Sequence, residues 1–322
     1  MSRYHASVIC TIILFCLVLL TSCAGNPAPN SPTAQVTRAT RATHATATPA
    51  PHTPVVAAPT PASTHTRYTA HTILRGVGRP DDLTFDREGR LLFSDSYNGT
   101  ISRINTNGTV TVLVRGLLKP EGLVMLDDGT LIIAEQQTNR ILALAPGRMS
   151  PSVLRTLPGV PSTVRCKDGV DGIALDPTNN TLIVPDSPAG NVYRMSLNGM
   201  RLTLLTSGIT RPVGAAVDAQ GRVYIADECG GALWQVTPNG KSVRMGNFGM
   251  LDDVVLDTSG NVFVTDLQVN THALIKMNLA TGKRETIARR GFIEPQGLAI
   301  DGQGNLYISD DYANVIVKYT PV

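Results

Sequence analysis

No aspartate or glutamate occurs before Asp81, so all 25 acids of this 322-residue chain fall after it. Only Arg3, Arg38 and Arg41 of the 28 bases precede residue 67, which leaves 25 bases to balance 25 acids in 67–322. The formal charge of +3 therefore belongs to the N-terminal segment. The remainder is neutral and lacks the basic footprint of a nucleic-acid binder. Histidine is scarce as well: His71 and His272 are the two that fall after residue 67, too few for a three-histidine zinc site. No Ser-His-Asp trio stands out, and no Gly-rich phosphate loop leads from a strand into a helix. The one tryptophan, Trp234, sits in the mostly apolar third-strand segment ALWQV and reads as packing.

What the first 66 residues do contain is a leader and a spacer. Arg3 and His5 precede an apolar run from Val8 to Leu20, too short to span a bilayer comfortably and laid out as a secretory signal. The sequence Leu20-Thr21-Ser22-Cys23 resembles the lipobox of bacterial lipoproteins. That resemblance implies a signal over 1–22, lipidation at Cys23, and an envelope protein held outside the cytoplasm by its lipid alone. Residues 23–66 are Ala, Thr and Pro with scattered basic groups, a composition that cannot offset the entropy of ordering and is expected to form a disordered stalk. Of five cysteines only Cys166 and Cys229 lie beyond it; in an oxidising compartment they form a disulfide or remain two buried thiols.

Internal repetition dominates residues 67–322. The segments DDLTFD, EGLVML, DGIALD, VGAAVD, DDVVLD and QGLAID begin 39 to 50 residues apart, at 81, 121, 171, 213, 252 and 296. Each leads through a Gly- or Asn-containing turn into a second apolar strand ending in acid, such as RLLFSD or NVFVTD, and then a third. Four short strands per repeat at this period predict an all-β, six-bladed β-propeller. The last copy stops after its third strand, while TAHTILRG at 69–76 matches the fourth strand TVTVLVRG at 109–116. An N-terminal strand that completes blade six would close the ring and leave no open edge.

Acids recur at two positions of the repeat. The closing acids are Asp95, Glu135, Asp186, Asp227, Asp266 and Asp310, one per blade. A residue required in all six is expected to fix the loop after its strand by accepting backbone N–H bonds. The opening positions vary: Asp81, Glu121, Asp171, Val213, Asp252 and Gln296, with Asp82 and Asp253 directly behind two of them. Inner strands line a propeller's channel, so four opening carboxylates converge on its mouth. Gathered there they repel, and need protons, bases or a cation. Asp81, Glu121, Asp171 and Asp252 are the candidate ligands; oxygen donors of this kind favour calcium over zinc. Arg79, Lys119, Lys167 and Arg211 precede the inner strands of blades one to four, and a salt-bridged rim without metal is the competing arrangement.

The pattern P-x-G-hydrophobic-x-hydrophobic-D followed by G-x-hydrophobic-hydrophobic-x-hydrophobic-x-D resembles NHL-type six-bladed propellers. It also resembles the gluconolactonase, senescence-marker and luciferin-regenerating-enzyme group, over about residues 68–322. That second resemblance implies a divalent cation in the channel, held by Glu, Asn and Asp at the strand starts. Glu121-Gly122 and Asp171-Gly172 match the acid-Gly form of the motif, whereas its Asn-Gly step is absent and blade four offers Val213. A metal hydrolase acting on a lactone or small ester would use Asp171 or Asp252 as general base. The alternative is a non-catalytic NHL-type propeller that binds a small-molecule ligand or a protein. A tethered monomer is the simplest state. The longest spacing carries VPSTVRCKDG at 160–169, expected as a partial lid that a Cys166–Cys229 bridge would staple to the rim.

Overall fold

The structure, a computed structural model, describes residues 66–322 with the exception of Val77. The leader over 1–22, Cys23 and the spacer up to residue 65 lie outside the described residues. Six four-stranded antiparallel sheets make up the described chain, each formed from four strands consecutive in sequence except the last. Blade one uses Pro80–Phe85, Leu91–Asp95, Thr100–Ile104 and Val110–Val114. Blade six uses Pro295–Ile300, Leu306–Asp310 and Val315–Pro321, completed by the N-terminal strand Tyr68–Arg75. That closing strand runs antiparallel to the C-terminal one, from Tyr68 opposite Pro321 to Arg75 opposite Val315. The ring is thus sealed by hydrogen bonds between the two ends of the domain, as the repeat pattern predicts.

Six apolar clusters hold the blades together, one at each blade–blade interface. Leu92 and Ile101 of blade one pack with Leu123 and Ile133 of blade two, while Leu91 and Phe93 face Ala299 and Ile316 of blade six. Successive side chains of one strand therefore bury against opposite neighbours. This explains why the second strands read as unbroken apolar runs: Leu91–Asp95, Leu131–Glu135 and Val223–Asp227 are buried throughout.

The inner strands share an irregularity that shapes the mouth. Pro80 pairs with Asp95 but Leu83 pairs with Phe93, so three steps on one strand match two on the other. The same bulge occurs in blades two, four, five and six, and in four of the five bulged blades the residue after its first position, Asp81, Glu121, Asp252 or Gln296, lines the mouth. Blade three differs. Its inner strand is reduced to Ala174–Asp176, and the chain reaches it through the long 158–173 connection. The axis is narrow: a Cβ added to Gly122 would meet the Asp171 carbonyl oxygen at 2.5 Å, and one on Gly214 the Asp252 carbonyl oxygen at 2.6 Å.

Candidate functional site

The closing acids are structural clamps. Asp310 accepts N–H bonds from Ile293 (2.7 Å), Glu294 (3.1 Å) and Ala313 (2.9 Å). Asp227 likewise accepts from Arg211 (2.9 Å) and Gly230 (2.9 Å), and Asp95 from Arg79 (3.2 Å) and Asn98 (2.8 Å). Each carboxylate ties the loop entering its blade to the turn leaving the second strand. Asp186 does this for the long connection, accepting from Gly159 N–H and the Asn139 side chain, both at 2.8 Å.

The opening acids do something else. Asp81, Glu121, Asp171 and Asp252 are all buried, between 6% and 8% exposed. The carboxylates of Asp81, Glu121 and Asp171 each bring an oxygen within 4.8 Å of the others. Burial pushes Asp81 up to about 6. It raises Glu121 well above the usual carboxylate range, with Asp81 and then Asp171 adding repulsion. Asp252 is raised in the same way by burial, Asp171 and Asp81, but lies outside the triad. The Gln296 amide, turned to satisfy its neighbours, donates to both Asp252 oxygens at 3.1 and 3.2 Å.

Asp82 and Asp253, one residue further down the axis, are inter-blade staples. Asp82 of blade one accepts the Leu123 N–H of blade two at 2.6 Å, and Asp253 of blade five accepts the Leu298 N–H of blade six at 2.7 Å.

One of the four candidate rim bases enters the acid ring. Arg211, 7% exposed, donates to Asp171 Oδ2 at 3.1 Å, pairs with Glu228, and stands 3.7 Å from Asp168. Lys167 turns away to the Pro188 carbonyl (2.9 Å), and Arg79 lies against the Tyr97 and Tyr312 rings. Asp81 and Glu121 have no ion pair among the described residues. The rim is therefore partly salt-bridged, around Arg211, which takes up Asp171 and Glu228. Cys166 and Cys229 form a disulfide between the long connection and the loop after the second strand of blade four, with Cα atoms 6.1 Å apart. Their sequence neighbours Asp168 and Glu228 are the residues that flank Arg211.

Above the triad opens a cavity of about 280 Å³. The residue directly after the closing acid lines it in five blades, as Ser96, Gln136, Glu228, Leu267 and Asp311. Sequence reasoning stopped at the closing acid and missed this position, although its one-residue offset in every repeat was a usable signal. Gln136 donates to Asp171 at 3.3 Å. Asp311 is buried, with its Oδ1 atom lacking a partner. A larger hollow of about 490 Å³ lies at the other end, between blades one and two. There Arg90 is taken up locally by Asp86 and Glu88, and Arg103 by the Asn105 side chain.

No protein-family model and no curated protein sequence matches the chain. Solved structures match its fold. A structure provisionally named a gluconolactonase shares 14% identity over 81% of this chain and 93% of its own, with TM-score 0.64. The PQQ-bound aldose sugar dehydrogenase of Streptomyces coelicolor shares 15% over 80% and 99%, also at 0.64. A nidogen/laminin complex contributes a chain with 19% identity over 71% and 88%, at 0.62. The chain is a six-bladed β-propeller. Identities this low establish the fold and leave activity to the site.

Proposed function

We propose that the mouth binds a divalent cation, calcium in preference to zinc, on Asp81, Glu121 and Asp171, and a small molecule in the cavity above it. The observation that carries this reading is the meeting of three buried carboxylates, two of them without a counter-charge, within reach of one ion. Three carboxylates in one narrow space are unfavourable unless neutralised, and all-oxygen donors suit a hard cation. Such a cation, when bound, supplies Lewis acidity toward a carbonyl oxygen. The chemistry this supports is hydrolysis of a lactone or small ester, with Asp252 as general base. Asp252 faces the same cavity, stays out of the triad, and has its pKa raised toward the range where a carboxylate can take a proton. Asp171, engaged by Arg211 and Gln136, suits the ligand role better.

The closing strand sets an orientation. Arg75 pairs with Val315, which pairs with the closing acid Asp310, so Tyr68 lies at the end away from the mouth.

A second reading keeps the mouth without turnover, as a non-catalytic NHL-type propeller binding a ligand or a protein. Val213, fully buried where other blades offer oxygen ligands, favours it. The test is a panel of lactones and esters assayed with calcium and with EDTA. Calcium-dependent turnover lowered at least 100-fold by Asp252→Asn supports hydrolysis; ligand binding with no turnover on any substrate supports the second reading.

A further inference from the structure

The hollow at the far end, between blades one and two, serves neither the mouth nor the closure of the ring. Its volume of about 490 Å³ lies in the ordinary span of small-molecule sites, roughly 300–1,000 Å³. The apolar cluster that joins these two blades does not close over it. Leu113, Met125 and Leu144 pack against that cluster yet stay half-buried, and all three line the hollow. Its floor is thus apolar surface that a ligand would take out of water.

One wall departs from the repeat. The turn between third and fourth strands spans 105–109 in blade one, and 197–201, 237–241 and 279–283 in blades three to five. In blade two it spans 145–151, two residues longer than in the others. Pro146 and Pro151 lie within it and restrict its backbone. This longer turn carries Arg148 and Met149 to the lip of the hollow, Met149 81% exposed. Arg87 reaches across from blade one to the blade-two turn at Gly129. A Cβ on Gly129 would lie 3.6 Å from Arg87 Cδ and 3.2 Å from Pro146 Cγ.

The charges at the lip do not cancel. Four arginines and three acids line the hollow, but Arg90 alone takes both Asp86 and Glu88, at 2.7 and 2.6 Å. That leaves Arg87, Arg103 and Arg148 against Asp128. Arg103 gives its Nε to a neutral acceptor, the Asn105 side chain at 3.1 Å. Neither Arg103 nor Arg148 has an ion pair among the described residues. An apolar floor under a cationic lip is the reverse of the acid-lined mouth.

We propose that this hollow binds a single-chain amphiphilic anion of the fatty carboxylate kind. The alkyl chain lies along Leu113, Met125 and Leu144, and the head group meets Arg103 and Arg148. The inference is independent of the mouth and its cation. Guanidinium groups match a carboxylate in geometry as well as charge, and the unbranched Met149 side chain adapts to the chain seated beside it.

The test is calorimetric titration of the full chain with butanoate, hexanoate and octanoate, using 1-octanol and sulfate as the uncharged and tail-free counterparts. The expected result is saturable octanoate binding that weakens about tenfold for every two methylenes removed. Octanol and sulfate should each bind at least about tenfold more weakly than octanoate. Arg103→Gln and Arg148→Gln should each weaken octanoate about three- to tenfold. Asp128→Asn should strengthen it about two- to threefold, because it removes the one acid left unpaired at the lip. Tyr312→Ala, at the mouth, should leave it unchanged. No saturable binding, indifference to chain length, octanol bound as tightly as octanoate, or indifference to both arginine variants overturns the proposal. Sulfate bound as tightly as octanoate would make the lip a simple anion site and overturn it as well. So would retention by phosphatidylglycerol vesicles that octanoate does not displace, since the far end would then meet a bilayer instead.

Discussion

Arg211 Nη2 stands 3.1 Å from Asp171 Oδ2, so one carboxylate of the triad brings its own counter-charge while Asp81 and Glu121 do not. The triad is short of positive charge by an amount that a single divalent ion can supply. Replacing Arg211 by Met should strand Asp171 and Glu228 as buried charges. The metal-free protein should lose about 3–5 kcal/mol, and calcium should then raise the melting temperature more than it does in the parent. A variant as stable as the parent in EDTA contradicts this role of Arg211.

The raised carboxylates predict an unusual pH dependence. Burial holds Asp81 at about 6 and Asp253 at about 7, above their ordinary values. The native state therefore binds more protons than the unfolded state between about pH 4 and 7. The stability these groups confer is complete below that window and is lost as the pH rises through it. In EDTA the melting temperature should fall between pH 5 and pH 8, and calcium stabilisation should grow over the same range because its ligands must be deprotonated. A metal-free protein more stable at pH 8 than at pH 5 would overturn it.

Clamp and site should separate by mutation. Asp310→Ala removes the acceptor of three backbone N–H groups and should cost about 3 kcal/mol in denaturant unfolding, with the calcium-induced shift intact. Asp81→Asn should do the opposite, abolishing the shift while relieving repulsion in EDTA. The same loss from both variants would mean that the two classes of acid are not distinct.

The Cys166–Cys229 bridge closes a loop of 63 residues, for which a stabilisation of about 2–4 kcal/mol is ordinary. Reduction, or the double change to serine, should lower the denaturation midpoint accordingly. It should also speed proteolytic cleavage within 158–169. Cleavage at an unchanged rate would show that the connection is held by Asn139 and Asp186 alone.

The fold was legible because its signals are local. Turn chemistry, apolar runs and the closing acid recur within each repeat, and the unpaired strand at each end of the domain foretold the closure. Blade three's shortened inner strand was less visible, since DGIALD carries the same pattern as its neighbours and only the preceding connection differs. The site was half legible. Opening acids converge as expected, but which of them meet depends on side-chain directions set by bulges and by neighbours distant in the chain. The Ser309 hydroxyl, for example, donates to the Asp81 carbonyl across 228 residues. The engagement of Asp252 by Gln296, and the placing of Arg79 against both Tyr97 and Tyr312, follow from ring closure, which no single repeat records.

The most direct test of the cation site is a thermal melt of residues 67–322 and its Glu121→Gln variant, each in EDTA and in excess calcium or zinc. Binding only the folded state at 100 times the dissociation constant adds about 2.7 kcal/mol, or roughly 5–10 °C for a domain of this size. A cation held by the triad predicts a saturable rise of that order with calcium in the parent, a smaller one with zinc, and little or none in Glu121→Gln. No shift with either ion, together with no metal in the purified protein, would contradict it.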